Sequence, residues 1–322
     1  MHPAYSVIFF TVASGAGYGL LATLAVLGIA NALPASAGFA WTSLIASFAL
    51  ITVGLLASTV HLGHPERAWR ALSQWRSSWL SREGLLAILT YPVAAIFAVG
   101  WLFLADGNGE LARLDGWVRA AALATAVLAL ATILATAMIY RSLAPIHQWH
   151  NVWVPAGYLG LGAMSGGAWL FALGQLFGVG PPWLGGIAAA LIALGLSLKV
   201  GYWRYIASTR GAATPETATG LGAIGDVRLL DPPHTEENYL QKEMGYRVAR
   251  KHAGKLRRLA VAGGFVAPLA LIAVASAVTG WLGAILSLIA VLSMMGGLMV
   301  ERWLFFAEAK HTVMLYYGAD RS

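Results

Sequence analysis

Long apolar stretches divide the chain, and polar residues collect in the segments between them. Each stretch runs for about 20 residues or more and lacks the strict alternation of a β-strand, so each has the length and pattern of a transmembrane helix. We count eight: Val7–Ala32, Phe39–Leu62, Leu85–Leu104, Val118–Tyr140, Val152–Phe177, Trp183–Tyr205, Leu259–Thr279 and Leu282–Phe306. The pattern predicts an all-α integral membrane bundle of eight transmembrane helices, forming one membrane domain over residues 1–322.

The composition fits a membrane protein and excludes several kinds of site. Hydrophobic residues make up 58% of the 322 residues and charged residues only 11%, whereas a soluble domain carries about 25% charged residues. The sequence has no cysteine, so it forms no disulfide and ligates no iron–sulfur cluster through cysteine. None of its eight histidines falls in the middle third of a predicted helix, where a transmembrane haem usually takes its axial ligands. We therefore expect no haem and no metal site.

Two motifs that resemble functional signatures are better explained as structural ones. The glycine-rich segments 15–19 and 162–167 lie inside predicted membrane helices, so we interpret them as sites of close helix packing rather than nucleotide-binding loops. His147 and His150 are spaced i, i+3, a spacing that would allow them to share a metal on one helical face. Because Trp149 lies between them, we favour anchoring at the membrane interface instead.

The distribution of Lys and Arg predicts the orientation of the bundle. If both termini lie on one side, all 21 Lys and Arg residues except Arg113, Arg119 and Lys199 fall in segments on that side. The positive-inside rule therefore places both termini in the cytoplasm, and we expect a multi-pass protein of the bacterial inner membrane. The formal net charge of +7 reflects this asymmetry, so we do not expect binding to nucleic acid.

The long segment 206–258 forms a predicted cytoplasmic loop whose second half, about 235–258, reads as a basic amphipathic helix. Thr235 would cap it, and Leu240, Met244 and Val248 recur at i, i+4, i+8. One interpretation is a helix lying on anionic lipid, and the other is a docking surface for a cytoplasmic partner. The residues that we assign to partner docking are Arg70, Arg76, Arg247, Arg250, Lys251, Arg257 and Arg258.

The densest polar segment, residues 61–83, lies between the second and third apolar stretches. It carries two His, four Arg, two Glu and three Trp, which suits an amphiphile with a polar head, such as a quinone. His61 ends one helix and Glu83 begins the next, so one turn would bring both to a common pocket. A His and a carboxylate are able to bond head-group oxygens and relay the protons of quinone chemistry. From spacing alone, the alternative that they only cap helices at the surface stays open.

Several motifs resemble the dimethyl sulfoxide reductase membrane anchor family over the whole length of the sequence. The most specific is His61-Leu62-Gly63-x-Pro65-x-Arg67-Ala68 followed by Ser81-x-Glu83. Weaker matches are the Trp149/Trp153-Val154-Pro155 stretch, Arg302-x-x-Phe305 and His311-Thr312. The resemblance implies an anchor without a prosthetic group that holds an iron–sulfur subunit and a molybdopterin catalytic subunit on one membrane face and exchanges electrons with quinone.

The resemblance also implies site residues, because the family's quinol-site His and Glu match His61 and Glu83. To these we add Arg67 and Arg82, whose charge would hold Glu83 ionised or stabilise a reduced anion, and Trp79, which would wall the ring. The bound molecule would be ubiquinone or menaquinone. The partner subunits would dock on the cytoplasmic face, and membrane lipid would surround the helices.

The long loop and the cytoplasmic orientation are similar to the branch that serves cytoplasmic sulfite-oxidising enzymes. The leading hypothesis is therefore the anchor of a sulfite:quinone oxidoreductase, and the alternative is the anchor of a dimethyl sulfoxide or related reductase that oxidises menaquinol. A transporter would need ionisable residues buried at the midplane. We expect Lys199, Glu301 and Arg302 to reach the interface from their helix ends, which disfavours a transporter.

Overall fold

The computed structural model describes residues 4–60, 62–103, 114, 116–231, 235–244 and 248–320, in the last range with side chains from residue 252 onward. Within these ranges eight helices are long and apolar enough to cross a membrane, which confirms the number of predicted segments. They are α1 Tyr5–Ile29, α2 Ala37–Ala57, α3 Trp79–Phe103, α4 Gly116–Arg141, α5 Trp153–Leu176, α6 Trp183–Ser208, α7 His252–Ala277 and α8 Trp281–Ala307.

Helices α1 and α5 form the centre of the bundle and are its most deeply buried spans. Helix α1 packs against α2, α4, α5 and α8, whereas α3 pairs with α4 and α6 pairs with α5. The backbones of α1 and α5 touch, because a Cβ on Gly19 would clash with the carbonyl group of Gly162 and a Cβ on Gly166 would clash with the backbone of Gly19. The interpretation of both glycine segments as packing sites is confirmed.

The polar segment between α2 and α3 covers one end of the bundle, which we call the hairpin end. Its central part is a 3₁₀ helix, Pro65–Gln74, with no buried residue. Proline suits the first position of this helix because its missing N–H would have no partner there. The polypeptide then turns into α3, and the Arg82 side chain fixes that turn by donating to the carbonyl oxygens of Trp75 at 2.9 Å and Arg76 at 2.6 Å.

The basic segment before α7 differs in its boundaries from the predicted helix. Thr235 does not cap it: a short helix, Tyr239–Met244, starts after Asn238. Asn238 and Gln241 cap this start reciprocally, because each side-chain oxygen accepts from the other residue's backbone N–H at 2.9 Å. This is the arrangement of a capping box.

A second helix, Val248–Val261, then runs through a π turn at Ala262–Val266 into Ala267–Ala277. The predicted cytoplasmic helix and the seventh membrane span are therefore continuous from Val248 onward. Two of the predicted docking residues, Arg250 and Lys251, lie in this stretch, but their side chains fall outside the described part of the structure. Arg247 also lies outside the described residues.

Candidate functional site

A cavity of about 580 Å³ lies at the hairpin end, between the polar segment and the ends of α1 to α4. The helices contribute mainly apolar side chains to its walls. The polar segment contributes His64 and Arg67 together with apolar residues. The lining residues are Val7, Phe10, Leu55, Ser58, Thr59, Leu62, Gly63, His64, Arg67, Ala68, Ala71, Leu72, Leu80, Glu83, Gly84, Ile139 and Tyr140. This volume lies within the range of small-molecule sites, about 300–1,000 Å³.

Glu83 is a buried ionisable group of this cavity, with only 5% of its surface exposed. It lies one turn inside α3 and is hydrogen-bonded to the hydroxyl of Thr136 on α4. Among the residues that the structure describes, no Lys, Arg or His forms a salt bridge with its carboxylate. The carboxyl group is thus held in place by a neutral partner, away from compensating charge.

The hydroxyl of Thr136 is able to satisfy Glu83 in both protonation states. Its oxygen lies within reach of the Glu83 carboxyl group and also 3.0 Å from the carbonyl oxygen of Thr132. A hydroxyl has one proton to donate and lone pairs to accept with. It donates to an ionised Glu83, whereas a protonated Glu83 donates to it and the Thr136 proton turns to Thr132. The hydrogen bond between Glu83 and Thr136 is therefore able to form whether Glu83 is ionised or protonated.

The structure brings only some of the predicted quinone-site residues to the cavity. Glu83 and Arg67 line it, although Arg67 lies nearest to the exposed carboxylate of Glu66, at 3.7 Å. The guanidinium group of Arg82 lies over the Trp79 ring at 4.3 Å instead, and neither residue lines the cavity.

The position of Arg82 follows from helix geometry. Consecutive residues of a helix point about 100° apart. Arg82 therefore does not point into the bundle as Glu83 does, and its side chain reaches the carbonyl oxygens of the hairpin instead. His61 lies outside the described residues, so its role stays a prediction that the family resemblance supports.

Three lining or supporting residues were missed in the sequence. His64 lines the cavity, and its Nδ1 lies 3.0 Å from Glu66; it belongs to the same short motif as His61, which was the available signal. Thr136 and Tyr140 lie one turn apart on α4, and nothing in the sequence of that apolar helix connects them with Glu83.

The expectation that Lys199, Glu301 and Arg302 reach the interface is wrong. All three are buried, with 3%, 1% and 4% of their surfaces exposed. Lys199 forms an ion pair with Glu301, whose other carboxylate oxygen lies 2.5 Å from Nε of Arg302. The aromatic rings around them supply further contacts for the cations, with Lys199 over Tyr202 at 4.0 Å and Arg302 over Tyr158 at 4.4 Å. The surrounding helices enclose these side chains, so their charged ends do not reach the membrane interface.

The buried charge cluster and the cavity are joined by aromatic rings. Tyr140, in the cavity wall, stacks on Tyr158 with ring centroids 5.9 Å apart, and Tyr158 carries Arg302 on its face. A second, smaller cavity of about 30 Å³ is lined by Tyr18, Thr136, Tyr158 and Arg302 together with apolar residues and the hydroxyl residues Thr11, Ser14 and Ser165. Its size suits one or two water molecules. Polar side chains thus extend from Glu83 to the charge cluster.

The two histidines near α5 each contact a different hydrogen-bond partner. His147 Nε2 lies 2.9 Å from the hydroxyl of Thr209, and His150 Nδ1 lies 2.6 Å from the carbonyl oxygen of Arg141. Burial lowers the pKa of His147, which favours the neutral ring. Trp149 is buried and donates to the carbonyl oxygen of Phe305 at 3.0 Å, so it packs the loop onto α8 instead of anchoring it in the interface. In the described part of the protein, no group of three metal-binding side chains occurs.

Comparison with protein families identifies this architecture. The family model described as "DMSO reductase anchor subunit (DmsC)" matches residues 1–318. The chain belongs to this family. The membership accounts for the eight membrane-length helices, since this is a family of anchor subunits, and its named relatives are subunits of molybdenum enzyme complexes. It also rules against the transporter alternative, even though the buried charges of α6 and α8 are of the kind that transporters carry.

Two relatives place the protein within the family. It is 34% identical over 331 aligned positions to the C subunit of the sulfite dehydrogenase of Allochromatium vinosum, and the alignment covers 98% of this sequence and 99% of the relative. It is 28% identical over 130 positions to the C chain of the anaerobic dimethyl sulfoxide reductase of Escherichia coli, covering 40% of this sequence and 43% of the relative. No solved structure matches the protein.

Proposed function

We propose that this anchor subunit transfers electrons from an iron–sulfur subunit to quinone, and that its complex is a sulfite:quinone oxidoreductase of the bacterial inner membrane. The observation that carries the proposal is the cavity at the hairpin end, in which the buried Glu83 faces an apolar space. Quinone reduction consumes two electrons and two protons. The electrons come from the partner subunits, and this subunit supplies the site and the path for the protons.

The lining residues fit a quinone. Val7, Phe10 and Leu55 provide an apolar wall at the membrane side of the cavity, where an isoprenoid tail would lie. His64, Arg67 and Glu83 provide polar groups for the carbonyl oxygens of a head group. A site with apolar walls and a few convergent polar groups is the usual form of a small-molecule pocket.

Glu83 serves in this proposal as the proton carrier. In its acid form it donates a proton to a head-group oxygen, and Thr136 stabilises the carboxylate that remains. A proton then returns from the cytoplasm by way of the exposed His64, which lines the same cavity. His61 is proposed, from the family resemblance, to bond the second carbonyl oxygen.

The relatives support the proposed direction of electron flow and the proposed substrate. The sulfite dehydrogenase relative is similar along its whole length, whereas the dimethyl sulfoxide reductase relative is similar over 40% of this sequence. Sulfite as electron donor to the complex, with quinone as acceptor, is therefore the better supported assignment. Reduction of dimethyl sulfoxide with menaquinol as donor is the second one, and the same cavity would serve it.

The exposed face of the hairpin is the proposed docking site for the iron–sulfur subunit. Trp69 and Trp75 are 68% and 51% exposed, and Arg70 and Arg76 lie beside them at 5.7 Å and 5.3 Å from the ring centroids. Tryptophan and arginine are enriched at protein interfaces. A cluster docked here would lie next to the cavity, which an anchor without a relay cofactor requires.

Charge reversal on this face tests the docking site. We expect the double variant Arg70→Glu/Arg76→Glu to release the catalytic subunits from purified membranes, with greater release at higher salt because exposed charges are screened. Immunoblotting of the membrane and soluble fractions measures the release. The control Arg210→Glu/Arg228→Glu changes two arginines outside this face. Equal release in both variants would show that general charge, and not this face, holds the partners.

Filling the cavity tests its use as the quinone site. Ala68 lines the cavity from the hairpin, so we expect Ala68→Trp to exclude the head group and to lower quinone-linked turnover about tenfold or more. Turnover with an artificial acceptor that takes electrons directly from the catalytic subunits should stay unchanged. Steady-state assays of the purified complex with each acceptor make the comparison.

Ser73→Trp is the matched control, because Ser73 lies on the same 3₁₀ helix and is exposed, but does not line the cavity. It should retain both activities. Normal quinone turnover in Ala68→Trp, with the complex intact, would contradict the assignment of this cavity.

A further inference from the structure

A third concave site lies on the outer surface of the bundle, between α6 and α7. This groove has a volume of about 430 Å³ and is lined by Val200 and Trp203 of α6 and by Arg257, Arg258, Val261, Ala262 and Val266 of the α7 segment. It is separate from the cavity at the hairpin end, with which it shares no lining residue. The function proposed above makes no use of it.

The groove is polar at one end and apolar along the rest. Val200, Val261 and Val266 lie within helices that are long and apolar enough to span a membrane. Arg257 and Arg258 lie nearer the start of the α7 span, and Trp203 lies near the end of α6, where tryptophan commonly marks the membrane interface. The groove therefore runs from the polar boundary of the membrane into its apolar interior.

The two arginines place positive charge at the polar end of the groove. Arg257 is paired with Glu308 at 2.9 Å, but its Nε–H is buried and has no hydrogen-bond partner among the described residues. Arg258 is exposed and donates only a long hydrogen bond, 3.4 Å, to the carbonyl oxygen of Gly254. Glu308 is paired with Arg257 only, and Arg258 has no carboxylate partner among the described residues, which leaves a net positive charge at the mouth of the groove.

The apolar half of the groove is formed by an irregular part of α7. Ala262 and Val266 belong to the π turn, and the carbonyl oxygen of Gly263 in that turn accepts a hydrogen bond from Ser293 of α8 at 2.8 Å. A π turn inserts one residue into a helix, is uncommon, and is found frequently at functional sites. Here it changes the spacing of the side chains that α7 presents toward α6.

We propose that this groove binds an anionic phospholipid, with the phosphate on Arg257 and Arg258 and one acyl chain along Val200, Val261 and Val266. Basic pockets between membrane helices recognise anionic head groups in this way. The apolar lining at membrane depth favours lipid over a water-soluble subunit, although both arginines were predicted from the sequence to dock a partner. The ligand class follows from the joint presence of uncompensated positive charge and an apolar channel.

Native mass spectrometry of the detergent-purified complex tests the proposal. The complex is exchanged into detergent with dioleoylphosphatidylglycerol or dioleoylphosphatidylcholine, and bound lipid is counted. We expect wild type to retain phosphatidylglycerol at least tenfold more strongly than phosphatidylcholine, and Arg257→Gln/Arg258→Gln to lose this preference. Arg210→Gln/Arg228→Gln removes the same charge outside the groove and should keep it. The single variant Arg258→Gln leaves the Arg257–Glu308 pair intact and should show an intermediate loss, which separates lipid binding from misfolding.

Three results would overturn the proposal. One is equal retention of both lipids by wild type. Another is complete displacement of phosphatidylglycerol by millimolar inorganic phosphate, which would identify a site for small anions. The third is normal lipid retention in the double variant together with loss of the iron–sulfur subunit, which would identify a docking surface. None of these results bears on turnover at the hairpin-end cavity, so the test is independent of the proposed function.

Discussion

Replacing Glu83 by Gln is expected to reduce quinone-linked turnover by about 100-fold or more, the usual contribution of a positioned general acid or base. The substituted amide would keep the shape of the side chain and a hydrogen bond to Thr136, but it carries no exchangeable acidic proton. Quinone would still bind in the cavity, but the proton needed at its head group would be missing. Turnover of the purified complex with a soluble quinone analogue measures the loss.

Assembly and activity with an artificial acceptor should be unchanged in Glu83→Gln, because both depend on the partner subunits and the hairpin face. Glu237→Gln is the control, because Glu237 is exposed and does not line the cavity. Thr136→Val removes the hydroxyl that pairs with Glu83 and should give a smaller loss together with a shifted pH profile. Wild-type turnover in an intact Glu83→Gln complex would exclude Glu83 as the proton carrier.

Replacing Glu301 by Gln is expected to destabilise the membrane domain by roughly 3–5 kcal/mol, the range seen when one partner of a buried ion pair is removed. Glu301 is the one carboxylate in contact with both Lys199 and Arg302 in the described structure. Without its charge, two buried cations would face each other in the interior of the bundle. We expect little protein in the membrane fraction, or a markedly lower melting temperature of the detergent-purified complex.

A double-mutant cycle separates this electrostatic cost from lost packing. In the Glu301→Gln background, Lys199→Met removes one of the two uncompensated cations and should restore part of the stability, whereas in wild type the same change should be destabilising. Glu66→Gln serves as the control for stability, because the ion pairs of Glu66 with His64 and Arg67 are exposed and contribute little to the free energy of unfolding. Equal effects of Lys199→Met in both backgrounds would show that the cluster is not electrostatically coupled.

The number of membrane helices and the packing role of the glycine segments could be predicted from the sequence. Both depend on local properties: the apolar length needed to cross a bilayer, and the close backbone approach that only small residues allow. The family resemblance also rested on a short contiguous motif around residues 61–83, and the match over residues 1–318 confirmed it.

The burial of Lys199, Glu301 and Arg302 could not be predicted, because it depends on which helices surround α6 and α8. Distance along the helix placed each residue near an end, and a long side chain there usually reaches water. In the structure Tyr158, Tyr202 and Phe305 come from three different helices and close over the cluster. Contacts between distant segments of this kind leave no periodic signal in a single sequence.

The site was predicted in part for the same reason. Glu83 was selected because it begins the helix after the polar segment and matches the family motif, and the structure places it in the cavity wall. Arg82 and Trp79 were grouped with it by sequence distance alone, whereas the hydrogen bonds to the hairpin carbonyls direct Arg82 outward. Thr136 meets Glu83 from another helix, across 53 residues of sequence.

The most direct test of the quinone site is photolabelling of the wild-type complex with an azido-quinone, followed by peptide mapping of this subunit. We predict that the label falls on the cavity lining, in segments 7–10, 55–72 and 80–84 or at Ile139 and Tyr140, and that excess unlabelled quinone prevents it. Labelling confined to other segments, such as the groove at Val200 and Val261, or labelling that unlabelled quinone does not reduce, would contradict the assignment.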